Sequence, residues 1–197
     1  MSQLCAQSIL ALCTNTLHPM ITPFVKDKCV VNGKSYGLSA ASYDVRIAHD
    51  LTLGPNPVYL LSDLLRANRN YHVQTVMDLW KTKLTNFPSP HALAHTVEDF
   101  HIPPDVVGYV CDKSTYARVF VSAFNTLFDP GFKGNATLEL VNLGSDIIHI
   151  KAGDPICQFT FHWLDEATDR PYAGKYQHQT KAAHGPRDEV PSQHKNT

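Results

Sequence analysis

The sequence has no C-x-x-C pair, and its five cysteines (Cys5, Cys13, Cys29, Cys111 and Cys157) are odd in number and scattered. That excludes a disulfide framework and a Cys-based zinc site, and it fits a reducing, cytoplasmic compartment. There is no G-x-x-x-x-G-K-[ST] and no G-x-G-x-x-G opening a helix, so a P-loop or a Rossmann domain has no support. Charge of neither sign dominates: the formal net charge is -1 and charged residues make up 18%. A surface that wraps a nucleic-acid polymer is not implied. No apolar run approaches the ~20 residues that span a bilayer, so no membrane partner is expected. The opening MSQLCAQSILALC has an apolar run but no basic region before it. It reads as an amphipathic helix over Ser8 to Cys13, ending near Asn15, rather than as a signal peptide. No internal repeat stands out.

What is present suits one compact domain: 197 residues, of which 43% are hydrophobic. We expect that domain to cover residues 1–179. Residues 180–197 are polar, contain Pro186 and Pro191, and are expected to form a flexible tail. Leu17 to Phe24 reads as an irregular arm. Ser39 to Ile47 alternates and reads as a strand. Val58 to Asn68 and Val73 to Leu84 have helical apolar spacing. From Ala92 the character changes to short β-rich runs: ALAHTVEDF, VVGYVC, RVFVSAF, ATLELVN, IIHIKAG and ICQFTFHWL. Turn signals separate them, among them Ile102-Pro103-Pro104, Asp129-Pro130-Gly131 and Lys133-Gly134-Asn135. Strands at this spacing predict a mainly β fold, a β-barrel or jelly roll with a few short helices.

Four groups of residues carry possible chemistry. Lys113, Ser114, Thr115 and Arg118 crowd into DKSTYARVFV, just before a run that reads as buried strand. They form either a polar turn or a cradle for a phosphate chain, built of cations, hydroxyls and backbone N–H groups. Alternation in ATLELV puts Thr137, Glu139 and Val141 on one face and Leu138 and Leu140 on the other. Glu139 is then either a solvent-facing carboxylate or one held in a barrel mouth, where partial burial lets it move a proton in both directions. Asp129 is a good turn residue, and equally a receiver for a sugar hydroxyl. Tyr172, Lys175 and Gln179 in RPYAGKYQHQ are either loop residues or the donors a lid lays over phosphates. The H-x-E and P-C-x-x-C pairs of a zinc deaminase are missing: His95 precedes Glu98 by three positions, and Cys111 and Cys157 stand alone.

Taken together, these segments resemble the dCTP deaminase family, which shares its fold with the trimeric dUTPases. Ile21-Thr22-Pro23-Phe24 and Tyr36-Gly37-Leu38-Ser39-Ala40-Ala41-Ser42-Tyr43-Asp44-Val45-Arg46 look like its I-x-PF and YGLSSYGYDIR segments. Phe87 to Pro104 looks like its strand leading to IP. Lys113 to Arg118, Asp129-Pro130-Gly131-Phe132, Thr137-Leu138-Glu139, Gln158 and Gly174-Lys175-Tyr176-Gln177 followed by Gln179 complete the set. The spacing from Arg118 to Glu139 matches one branch of the family. Residues 52–86 match nothing in it.

The resemblance implies hydrolytic deamination of a deoxycytidine nucleotide, dCTP to dUTP, without zinc and with the nucleotide taken as a magnesium complex. It implies a homotrimer with sites built between subunits. Glu139 takes the place of the catalytic carboxylate, with Ser114 and Arg118 near the reacting centre. Lys113 to Arg118 takes that of the triphosphate and base cradle. The backbone of Thr137 and Leu138 would read the cytosine edge, and Asp129 would face the 3′-hydroxyl. Gln158, Tyr172, Lys175 and Gln179 match positions that hold the nucleotide. Diphosphate hydrolysis of dUTP or dCTP, alone or coupled to deamination, is the alternative reaction class. A dUTPase attacks phosphorus and typically lacks a Glu at this strand position, so Glu139 separates the two. A dCMP or modified-cytosine substrate falls within the first class, and a non-catalytic nucleotide binder is a third possibility. The family usually has Gly where His178 stands, Thr180-Lys181 departs from its pattern, and the loop from Tyr172 to Lys175 is short.

Overall fold

The alternation that marks the second half of the sequence becomes long antiparallel ladders in the computed structural model, which describes residues 2–14, 17–59, 62, 87–180, 183 and 185–188. In chain order the elements are β1 (Ser2–Gln3), α1 (Ala6–Thr14), β2 (Ile21–Thr22), β3 (Cys29–Val31), β4 (Lys34–Leu38), β5 (Tyr43–Arg46), β6 (Leu51–Leu53), β7 (His91–His101), β8 (Val106–Asp112), α2 (Ser114–Ala117), β9 (Val121–Ala123), β10 (Leu127–Phe128), β11 (Lys133–Asn142), β12 (Ile148–Ile150) and β13 (Pro155–Trp163). One seven-stranded sheet runs β10-β8-β13-β5-β4-β3, with β1 also paired to β13. A four-stranded sheet runs β2-β7-β11-β9, and β12 pairs with β6. The mainly β, jelly-roll-like fold is the expected one, although no ladder among the described residues closes it into a barrel.

The two larger sheets share one core. In β13, Ile156, Cys157, Phe159 and Phe161 are buried, as are Ala136, Leu138 and Leu140 in β11. Phe100 of β7 stacks on Phe159 of β13 at 4.6 Å between ring centroids, which ties one sheet to the other. An ion pair does the same. The Arg46 side chain on β5 donates through Nε to Glu98 on β7 at 2.8 Å, and its backbone N–H donates to the other carboxylate oxygen at 2.9 Å. Glu98 is fully buried. Burial pushes its carboxyl above the ordinary value, and the bonds from Arg46 offset only part of that rise.

Local chemistry corrects three sequence expectations. The helix expected over Ser8 to Cys13 extends from Ala6 to Thr14. The strand expected over Ser39 to Ile47 is confined to Tyr43–Arg46, because Ser39 N–H donates to Ser42 C=O at 2.8 Å and closes a turn between β4 and β5. RVFVSAF is not one buried strand. The amides of Tyr116 and Ala117 turn back to Lys113 C=O, and Phe120 takes a positive φ of 61°, so only Val121–Ala123 pairs. Val119 and Phe120 are consequently exposed. Of the helices expected over Val58 to Asn68 and Val73 to Leu84, residues 58 and 59 are helical and the rest lies almost wholly outside the described residues. Among those described, no helix is long and apolar enough to cross a membrane.

Candidate active site

Strand β11 carries the proposed carboxylate, and its alternation is as read: Leu138 and Leu140 are buried, while Thr137, Glu139 and Val141 are half-exposed on the other face. Along its length β11 pairs with β7, whose register jumps between Asn135–Asp99 and Thr137–His95. The irregularity is held from β7, because Thr96 Oγ1 accepts from Ala136 N–H at 3.0 Å and donates to Glu98 C=O at 2.6 Å. Among the described residues, the opposite edge of β11 is paired only at its ends. Gly134 bridges Gln179, and Leu140 to Asn142 pair with β9. Asn135 N–H donates to Gln179 C=O and Glu139 C=O accepts from Phe124 N–H, both on this edge. By the two-residue period, the N–H and C=O of Thr137 face the same edge, in the gap between these partners.

Glu139 opens into a cleft of about 430 Å³. Leu93, Leu127, Phe128 and Phe132 supply its apolar wall. Asp129, Thr126, Thr137, Tyr172, Tyr176 and Gln179 supply polar groups. Thr126 Oγ1 lies 3.2 Å from Glu139 Oε2 and 3.2 Å from Phe124 C=O, so its single proton can be given to either acceptor. A mostly apolar hollow with a few convergent polar groups has the form of a small-molecule site.

The C-terminal segment closes one side of this cleft, packed on its own chain rather than hanging free. Tyr172 N–H donates to Pro130 C=O at 2.7 Å, and its ring lies 5.9 Å from that of Phe132. Gln177 Nε2 donates to Gly131 C=O and Tyr172 C=O, while its Oε1 accepts from Lys133 N–H. Gln179 runs parallel to Gly134 so closely that a Cβ on Gly134 would lie 2.5 Å from Gln179 O. Thr137 Oγ1 donates to Gln179 Oε1 at 3.3 Å. Between them His178 takes φ 59°, the left-handed conformation that glycine adopts freely. Holding a non-glycine residue in this conformation costs about 1–2 kcal/mol. His178 also lies near Asp99 and His101. Burial raises the Asp99 carboxyl, which His178 partly offsets, and burial lowers the His101 imidazole, with Lys133, His18 and His178 adding to the effect. Lys175 Nζ sits 5.5 Å over the Tyr176 ring.

The cradle residues are elsewhere. Helix α2 carries Ser114 and Thr115 on its exposed side, and Lys113 points inward, with Nζ 2.7 Å from Asp44 Oδ2. Gln158 on β13 lies beneath this end. Its Nε2 donates to Asp112 C=O at 2.9 Å, and its Oε1 accepts from Ser42 Oγ at 3.1 Å. Arg118 lines a separate groove with Phe120, Leu143 and Asp146. The register explains why. Ala123 lies opposite Leu140 and Val121 opposite Asn142, so the chain from Val121 back to Arg118 continues past Asn142, away from Glu139. Within one chain the structure thus brings together Glu139, Asp129, Thr137, Tyr172 and Gln179, and it separates them from Lys113, Ser114, Thr115, Arg118 and Gln158. Leu138 has its side chain buried in the core, and by the same two-residue period its N–H and C=O face β7 rather than the open edge, so the expectation that its backbone reads the base is corrected to Thr137. Sequence reasoning missed Thr126 and Tyr176. Tyr176 stands inside the GKYQ segment, whereas nothing in the pattern around Thr126 marks its approach to a residue thirteen positions on.

A family model described as dCTP deaminase-like matches residues 7–164, which stops short of the C-terminal segment. The dCTP deaminase of Campylobacter hominis is 36% identical over 163 residues, covering 81% of this chain and 84% of that protein. That of Helicobacter pylori is 34% identical over 166 residues, covering 82% and 87%. The solved structure of 2′-deoxycytidine 5′-triphosphate deaminase from Agrobacterium tumefaciens is similar in fold, with a TM-score of 0.50 at 16% identity, covering 82% of this chain and 48% of that one. With the family model matched across most of its length and relatives above 30% identity over four-fifths of it, the chain belongs to the dCTP deaminase-like family.

Proposed function

We propose that the protein hydrolyses dCTP to dUTP and ammonia, with Glu139 as general base and then general acid. The observation that carries this reading is the placement of Glu139, within reach of Thr126, in an apolar-walled cleft beside an unpaired stretch of strand edge. Water attacks C4 of cytosine while Glu139 takes its proton. The carboxyl then delivers that proton to the amino group, the C4–N bond breaks and ammonia leaves, while the second proton of the former water passes from the C4 oxygen to N3 and leaves a carbonyl at C4. Glu139 ends the cycle ionised, as it began. The N–H and C=O of Thr137 read the base edge, and Asp129 receives the 3′-hydroxyl. Tyr172, Lys175 and Gln179 hold the phosphates.

Ser114 holds the attacking water and Arg118 stabilises the developing charge, both supplied by a neighbouring subunit of a homotrimer. The separation of Arg118 from Glu139 along the β9–β11 register supports that division. Lys113, Thr115 and Gln158 belong to the same donated surface, where the Lys113 ammonium has donors beyond the one given to Asp44. The cleft's own ligands are carboxylate, hydroxyl and amide oxygens, which suit a hard magnesium ion that arrives on the phosphates. Bound there, magnesium would neutralise phosphate charge, and no zinc takes part. A cytoplasmic setting fits the five free thiols. We assign residues 1–179 to a single catalytic domain; most of the tail expected over 180–197 lies outside the described residues, and of those described Arg187 donates to the Tyr176 hydroxyl and to Lys175 C=O.

Product analysis tests the reading. Incubation with dCTP and magnesium should release ammonia and dUTP in equal amounts. Release of diphosphate with a monophosphate instead would move the protein to the diphosphatase class.

A further inference from the structure

The cradle rests on a helix too short to hold itself. Helix α2 spans only Ser114–Ala117, and Lys113 makes no side-chain cap for it. A single helical turn fixes several dihedrals for very few hydrogen bonds, so its position must come from tertiary contacts. The burial pattern shows where they act. Lys113 and Tyr116 are buried, while Ser114, Thr115, Ala117 and Arg118 are exposed. Lys113 and Tyr116 are three apart and share one face of the turn, and Ser114 and Arg118 are four apart and share another.

Both buried residues end on carboxylates. Lys113 Nζ meets Asp44 Oδ2 at 2.7 Å. Tyr116, 4% exposed, donates its hydroxyl to Asp154 Oδ2 at 2.9 Å. Asp154 lies just before β13, is 1% exposed and is itself immobilised. Asn32 Nδ2 donates to its Oδ1 at 2.7 Å, and Lys34 Nζ donates to its Oδ2 at 2.9 Å. Lys151 N–H adds a longer bond at 3.4 Å, and Lys34 Nζ stands 5.5 Å from the centre of the Tyr116 ring. Burial works to raise the Asp154 carboxyl, but the bonds from Asn32, Lys34 and Tyr116 outweigh it and hold it below the ordinary value. Three segments distant in sequence, the β3–β4 hairpin, α2 and the turn before β13, therefore converge on one ionised carboxylate.

We propose that Tyr116 and Asp154 are a positioning pair that sets α2 and, through it, aims Ser114 and Arg118 at the reacting centre; the catalytic part of this proposal rests on the deaminase reading. A phenylalanine at residue 116 would fill the same space. It would not fix the helix against sliding or turning, because packing is not directional, whereas a hydroxyl bonded to a held carboxylate is.

The test is Tyr116→Phe in the full-length protein, which removes one oxygen and leaves the packing. Amide hydrogen exchange, followed by mass spectrometry, should speed up in peptides covering residues 113–120, with β7, β11 and β13 unchanged. With dCTP, kcat should fall about tenfold while KM changes less than about threefold, since the residues displaced act on the transition state. Tyr116→Phe should cost less on top of Arg118→Ala than it does alone, because the hydroxyl acts through the helix that carries both Ser114 and Arg118 and only the Ser114 part of its effect then remains. A merely structural role would lower Tm and leave kcat per folded molecule at the wild-type value; that result overturns the proposal, as does an additive double variant. Unchanged exchange over 113–120 also overturns it. If the wild-type protein releases no ammonia from dCTP, the deaminase reading fails, and the exchange measurement still decides whether this pair anchors the helix.

Discussion

Mixing two inactive variants should restore activity if the site is shared between subunits. Arg118→Ala removes a charge-stabilising donor, a loss of about 10²–10³ in kcat. Glu139→Gln removes the acid–base group, a loss of about 10²–10⁴. Either homotrimer should therefore turn over at about 1% of the wild-type rate or less. The register of β9 on β11 carries Arg118 away from the Glu139 of its own chain, so under the proposed shared site each active centre would take its Glu from one subunit and its Arg from another. In a trimer assembled at random from equal amounts, about half the subunits carry an intact Glu139 and about half an intact Arg118, so about a quarter of the sites hold both. Recovered activity should approach a quarter of wild type, well above either background. The variants would be unfolded in urea, mixed and refolded together, and ammonia release from dCTP measured against samples refolded separately. If native mass spectrometry shows mixed trimers and activity stays at the background of the parents, both residues come from one chain and the shared-site reasoning is refuted.

Gly134→Ala should detach the C-terminal segment, because its Cβ would fall 2.5 Å from Gln179 O and 2.9 Å from Gln179 N, on a backbone at φ 129°. We expect KM for dCTP to rise about tenfold, or ~1.4 kcal/mol, with faster amide exchange over residues 176–179. Lys175→Ala should raise KM for a triphosphate by about 10- to 100-fold, the range of a hydrogen bond to a charged group, and leave kcat within about threefold. Steady-state kinetics with dCTP, dCDP and dCMP checks this, and a parent that prefers dCMP and ignores the substitution would remove the triphosphate assignment. Thiol reactivity at pH 8 should divide the cysteines by burial. Cys5 and Cys29 are exposed, and hydrogen bonds with Ser8 lower the Cys5 thiol. Burial pushes Cys13 up to about 12 and Cys157 well up. Ionisation alone should slow alkylation of Cys13 by ~1,000-fold against an ordinary thiol, and mass spectrometry of native protein should find it unlabelled until unfolding.

Much of the sheet was legible because alternation is a local signal. Thr137, Glu139 and Val141 face the cleft side of β11 because every second residue must turn away from a core that Leu138 and Leu140 fill. The same signal misled at Arg118 to Phe124, where an apolar run ends in an exposed turn. What decided that stretch was α2, held by Asp154, thirty-eight positions from Tyr116. Bonds of that range leave no periodicity to read. Thr126 on Glu139 is a second case, since a hydroxyl in an ordinary turn gives no sign of its acceptor. The motifs also present Arg118 and Glu139 as one set. Only the β9–β11 register reveals that a single chain keeps them apart.

The proposed deamination depends on Glu139 moving the proton. The direct measurement is ammonia release from dCTP by Glu139→Gln, beside calorimetric binding of dCTP to the same protein. The amide keeps the size of the side chain and can still accept from Thr126, but it cannot take a proton from water. Turnover should fall by at least about 100-fold while affinity for dCTP stays within about threefold. A Glu139→Gln protein that binds dCTP and releases ammonia at a rate near that of the wild type would contradict the mechanism.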